Sequence, residues 1–521
     1  MRGADSPKRI LMAETRRFAL NVLMNWMATG VGMLVPFFLT PVVVRHLGPA
    51  AYGVWILSAA TVSYLNLLDL GMRSAVIRFV SKAWAQGAIE ELRAVVAAAL
   101  WFRLLIAAVV AVASVVLAIN FPRLFKIPTE LHHPAQMTVL LCALGVAVSL
   151  VSGVFGAVLA AMNRFDRLST ITMLQTVLRA SGVLVILSRG GGLIALAYWE
   201  LMILVLVGLA VTLTALKTVP SCRVRVRRPD PVLLRQIWSY SLVTFLWIIA
   251  VQVIINSDNL MVGHFISVEL AAFYAIGGSL VTYSGQVVSA LSTTFTPMAS
   301  GMEANGRMDD VRRLLIRGTQ ATLALSMPIT LALLFRGRTF IGLWMGPSYA
   351  HVSGTVLQIL LIAGFMSTAA STAGAVMMAI GRHKRPAQFA MVEAAVNVAL
   401  TLLLVRRMGM FGVAWGTSIA ITLVSMAFWP GYIKKVLGIP VGTMVWQGWL
   451  KPVLCAVPFG VVCWLADRAW HPANLAIFFL QIFVTLPVYV VSVGLVFREP
   501  VLARVREWRA SRRNFAEVAA H

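Results

Sequence analysis

Long stretches of apolar residues, nearly free of charge, recur from one end of this chain to the other, and nothing else in it constrains the fold as much. About 18 or more such residues are enough for a helix to cross a hydrocarbon core roughly 30 Å thick. A helix also satisfies its own backbone hydrogen bonds, which no lipid can do for it. Spans are read near 18–44, 50–72, 94–119, 136–161, 169–188, 192–216, 238–266, 270–297, 314–335, 353–380, 387–405, 410–430, 450–467 and 473–497. Of the 521 residues 60% are hydrophobic and 12% charged, against about 25% charged in ordinary soluble domains. The expectation is an all-α polytopic membrane protein with about fourteen transmembrane helices. The stretch 18–44 is longer than the apolar core of a signal peptide, about 7–15 residues, so it reads as a retained first helix.

The formal net charge of +25 would suit a nucleic-acid binder, but its placement argues otherwise. Lys and Arg collect in the short cytoplasmic loops of membrane proteins, where they also face anionic headgroups. Alternate loops here carry 33 and 9 of them, with Arg103 and Arg179 inside spans. This asymmetry fits an even number of spans with both termini in the cytoplasm, and no nucleic-acid partner. No loop is long enough for a separate soluble domain, so the membrane body must carry the function. Cys142, Cys222, Cys455 and Cys463 lack the spacing of a metal site or a disulfide framework. His132 and His133 have no companion at ligand spacing, and Gly190 to Gly192 is a turn, since no strand precedes it. Neither a metal site nor a catalytic constellation is expected.

The chain also repeats. Gly156 to Arg167 (GAVLAAMNRFDR) aligns with Gly374 to Arg385 (GAVMMAIGRHKR) at a shift of 218, and the region after Arg45 aligns with that after Gly263 once four residues are inserted. Each copy spans six helices, an even number, so the two copies share one orientation. The expected organisation is a cytoplasmic tail (1–17), a six-helix bundle (18–216), a basic cytoplasmic linker (217–237), a second six-helix bundle (238–430), two further helices (431–497) and a basic cytoplasmic tail (498–521). Repeated halves are a common architecture of alternating-access transporters.

Several segments resemble a known family. Pro36, the run from Pro41 to Gly53 (PVVVRHLGPAAYG) and the run from Leu67 to Arg78 (LLDLGMRSAVIR) are similar to the opening of the Wzx-type polysaccharide flippases. These share a superfamily with the multidrug and toxin extruders and the lipid II flippases. Asn256 to His264 (NSDNLMVGH), followed by Tyr274, resembles the start of that family's second bundle. The resemblance implies two six-helix bundles with two extra C-terminal helices. It also implies a bacterial inner-membrane carrier that moves a polyprenyl-diphosphate-linked oligosaccharide from the cytoplasmic to the periplasmic leaflet.

Ionisable residues inside spans are costly and are functional candidates by default. A diphosphate head calls for cations, and the planar fork of arginine suits phosphate. Arg179, mid-span in the fifth helix, is the leading candidate. Glu200 lies at a matching depth in the sixth, so Arg179 either serves substrate or pairs within the hairpin. Asp69 and Arg73 are four apart, as neighbours on one helix face would be, with Arg78 beyond them; they could receive the diphosphate on arrival or anchor a helix end. Arg45 stands at the opposite mouth, for exit or for snorkelling. Asp258, which breaks the seventh span's apolar run, and Glu393, which aligns with Gln175, are candidates for proton or sodium coupling, as are Asp69 and Glu200 for coupling or charge pairing. Expected partners are the lipid-linked oligosaccharide, membrane lipids and a polysaccharide polymerase. A cation-coupled multidrug exporter is the main alternative, and a membrane-embedded glycosyltransferase or ligase a remote one.

Overall fold

The computed structural model describes residues 7–224 and 231–496, with side chains at 24, 26–224 and 245–496. The tail beyond 497 and the core of the basic linker, 225–230, lie outside the described residues, as do the first six. The described residues are helical apart from short turns, with no strand among them. In chain order the helices are α1 (Pro7–Leu65), α2 (Met72–Ala85), α3 (Ile89–Leu124), α4 (His132–Ala161), α5 (Phe165–Ser188), α6 (Leu193–Thr218), α7 (Pro231–Phe265) and α8 (Val268–Ser292). There follow α9 (Phe295–Ala304), α10 (Met308–Trp344), α11 (Pro347–Ala379), α12 (Lys384–Leu437), α13 (Val441–Ala469) and α14 (Leu475–Val496).

Eleven helical stretches among the described residues are long and apolar enough to cross a membrane, where the sequence reading counts fourteen segments. Trp26–Ala85 takes in two of those segments and Lys384–Leu437 another two. α8, the eighth, is helical but not among the eleven, because polar and small residues from Gly277 to Gln286 dilute it. Two long helices are broken at glycines: α1 at Gly48 (φ 78°, ψ 164°) and α12 at Gly409 (φ 59°, ψ −137°). A side chain disfavours positive φ, so glycine lets one helix give way to the next without a loop. The first helix begins at Pro7, earlier than the expected tail boundary. α10 runs on through Arg336 and Arg338, placed in a loop by the sequence reading, and Arg336 is buried.

The backbone echoes the repeat. Left-handed residues close the turns at Gly87 and Gly306, at Asn163 and Gly381, and at Gly190 and Gly409. The members of each pair stand 218 or 219 positions apart. α4 and α11 end at Ala161 and Ala379, also 218 apart.

By packing, the chain divides into two compact units whose boundaries differ from those of the repeat. The first comprises Met1–Ile276 with Ala387–Ala420, the second Gly277–Pro386 with Ile421–His521. In the first, α2, α3 and α4 meet over Val76, Val80, Leu92, Val96, Val158 and Leu159. Gly53 of α1 lies so close to the Val268 carbonyl that any side chain there would collide with it. In the second, α10, α11, α13 and α14 share a core that includes Leu323, Met327, Trp449, Phe459 and Tyr489. The buried Arg336 ties α14 and the end of α13 to α10: it donates to the Gln481 side-chain oxygen, lies 4.8 Å from the Phe478 ring centroid and stands 3.8 Å from Asp467 Oδ1.

Candidate functional site

Three groups of polar side chains sit inside the first unit, and together they hold most of the residues singled out from the sequence.

The first lies between α5 and α6. Arg179 Nη2 donates to Glu200 Oε1 at 2.6 Å. The helices can approach because Gly182 faces the Trp199 ring, where a side chain would collide, and Trp199 Nε1 donates to the Arg179 carbonyl at 3.2 Å. Of the two arrangements left open above, the structure shows the hairpin pair. The Arg179 side chain nevertheless keeps 39% of its surface, against 16% for Glu200, although its Nε is buried without a partner.

The second lies where α1 gives way to α2. α1 passes into a 3-10 turn, Asn66–Asp69, and then through two left-handed residues, Leu70 (φ 53°) and Gly71 (φ 72°). Asp69 and Arg73 therefore do not share a continuous α-helical face, and the four-residue spacing misplaces them. Asp69 pairs instead with Arg103 of α3, which also donates to the Leu150 carbonyl of α4 at 2.7 Å. Arg73 and Arg78 lie on the exposed side of α2, whose other side buries Met72, Ala75, Val76, Val80 and Ala83. Arg45 is exposed three residues before the Gly48 break.

The third gathers α7, α8 and both halves of α12. α7 runs unbroken through Asn256–Asn259, so Asp258 does not interrupt the helix, and it is 5% exposed. Its Oδ2 accepts from the Tyr274 hydroxyl at 2.6 Å and the Thr417 hydroxyl at 2.7 Å, and Asn397 Nδ2 donates to Thr417 Oγ1 at 2.8 Å. Five buried oxygens of this neighbourhood, on Ser257, Asp258 (Oδ1), Asn259, Asn397 and Thr401, have no hydrogen-bond partner. Glu393 lies one turn before Asn397, half-buried.

Arg103, Asn397 and Thr417 were not nominated as site residues from the sequence. Arg103 carries the same signal as Arg179, a charge within a span. Asn397 stands 218 residues after Arg179, so the repeat itself pointed to it. Thr417 carries no signal, since hydroxyls are common in membrane helices and bond back to their own backbone. Among the described residues no three His, Cys, Asp or Glu side chains gather as metal ligands would, and the four cysteines are free thiols.

A chain of membrane-length helices with internal repetition and polar groups inside the spans has the build of a membrane transporter. The solved structure of the lipid II flippase MurJ, in its inward closed conformation, shares the fold: TM-score 0.73, 15% identity, 93% of this chain and 100% of that one. The sequence profile described as "Polysaccharide biosynthesis protein" matches residues 42–354. This chain belongs to that family, as a transporter rather than an enzyme. Among curated relatives, the membrane protein EpsK of Bacillus subtilis is 24% identical, over 86% of this chain and 89% of its own length. The protein of Haloferax volcanii named "Probable flippase AglR" is 23% identical, over 83% and 85%.

Proposed function

We propose that this protein moves a polyprenyl-diphosphate-linked oligosaccharide from the cytoplasmic to the periplasmic leaflet of a bacterial inner membrane, by alternating access, for surface polysaccharide biosynthesis. The observation that carries the reading is Arg179, whose side chain lies inside a membrane span and stays partly exposed while its counter-ion is largely covered. A charge there is expensive. A cargo with an anionic head and a lipid tail gives it a use, since arginine can hold phosphate oxygens through two parallel hydrogen bonds. The family description and the name of the AglR relative point the same way. In this scheme Arg73 and Arg78 meet the diphosphate on the cytoplasmic side, Arg179 holds it midway with Glu200 as its resting partner, and Arg45 serves the exit. Both termini are cytoplasmic, and a polymerase receives the product.

Coupling falls to the third polar group. Asp258 and its neighbours offer a carboxylate and several unpartnered oxygens, the hard-donor chemistry that suits a proton or a sodium ion, with Glu393 as an auxiliary carboxylate.

The test is Arg179→Ala in cells that depend on this protein for surface glycan. Export should cease while the amount of protein in the membrane is unchanged. Normal export from that variant would refute the role of Arg179.

A further inference from the structure

Arg103 is 5% exposed, and the scheme above gives it nothing to do. One of its terminal nitrogens donates to the Leu150 carbonyl, the other pairs with Asp69, and Nε is buried without a partner. Arg73 stands four residues after Asp69, on the exposed side of α2. A buried guanidinium with an unsatisfied N–H in a poorly solvated place favours a further anion. The Asp69 side chain is 23% exposed and that of Arg103 6%, while the Asp69 Oδ1 that faces Arg103 is buried. Asp69 also ends a 3-10 turn that is followed by Leu70 in a left-handed conformation that a side chain disfavours. The second copy also breaks, between α8 and α9, but there without a left-handed residue, and α9 carries Glu303 and no Lys or Arg. The cationic arrangement belongs to one copy only, as suits a cargo with a single diphosphate.

We propose that Asp69 is an internal competitor for the anionic head of the substrate: it occupies Arg103 until a diphosphate, met first by Arg73, takes its place and frees the turn between α1 and α2. The proposal rests on the flippase reading and adds Arg103 as a masked diphosphate ligand.

The test measures binding of a polyprenyl diphosphate to the purified full chain, with polyprenol and phosphatidylglycerol in parallel. Asp69→Asn should bind the diphosphate about tenfold more tightly than the unaltered protein, the gain expected when a charge-assisted hydrogen bond is no longer contested, and should transport more slowly. A pair with a structural role alone predicts unchanged or weaker binding, and that result overturns the proposal. An equal gain for phosphatidylglycerol also overturns it, by making the ligand a membrane headgroup. A second measurement leaves Asp69 in place: with Ser74→Cys in the first turn of α2, the diphosphate should speed maleimide labelling at that position, and an unchanged rate counts against the freed turn. If the unaltered protein binds no polyprenyl diphosphate, the flippase reading itself fails, which is a separate outcome from a null effect of Asp69→Asn.

Discussion

At the scale of single residues, Asp258 accepts two hydroxyl hydrogen bonds on one carboxylate oxygen and none on the other. Burying a charge so incompletely satisfied costs several kcal/mol, on the order of 3–5, unless something else supplies the balance. Asp258→Asn preserves size and most hydrogen bonding while removing the charge. In proteoliposomes, an imposed proton or sodium gradient should stimulate transport by the unaltered protein and leave Asp258→Asn slow and unresponsive. A variant that responds as the parent does would remove Asp258 from the coupling scheme. The two arginine pairs show how much of such chemistry the sequence carries. Arg179 and Glu200 flank one short turn, so counting along two antiparallel helices was enough to match their depths. Asp69 and Arg103 are joined through a 3-10 turn and a change of direction, and helical spacing gave Asp69 the wrong neighbour.

At the scale of elements, glycine decides where long helices are interrupted. Gly409 holds φ 59° and ψ −137° within α12, a combination that costs a side chain on the order of 1–3 kcal/mol. Gly409→Ala should lower the thermal unfolding midpoint of the purified protein in detergent, whereas Gly30→Ala, at a glycine with open space around it, should raise it or leave it unchanged. An equal response from both would mean that α12 does not depend on its break. Such breaks account for two of the three segments by which fourteen become eleven qualifying stretches, and the diluted α8 is the third. Hydropathy marks apolar segments, but whether two of them form one kinked helix or two depends on backbone angles at one residue.

At the scale of the whole molecule, the 33 to 9 distribution of Lys and Arg predicts which turns face the cytoplasm. Single cysteines in a cysteine-free background should report it. A residue in the turn at Gly87 or at Gly381 should resist a membrane-impermeant maleimide added outside intact spheroplasts, and one at Gly192, which has open space around it, should react. The reverse pattern would invert the direction of transport proposed here.

The sequence by itself determined the solvent, the helical class, the repeat and the family, because apolar length, charge placement and short motifs are local or additive properties of the chain. The left-handed residues that recur 218 or 219 positions apart follow the same register. Which polar groups meet was decided only by tertiary structure. Arg103 reaches Asp69 across a reversed turn, and Asp258 reaches Thr417 across 159 positions. A buried polar atom takes the partner that packing brings within about 3 Å, and that choice depends on how helices distant in sequence are rotated against one another.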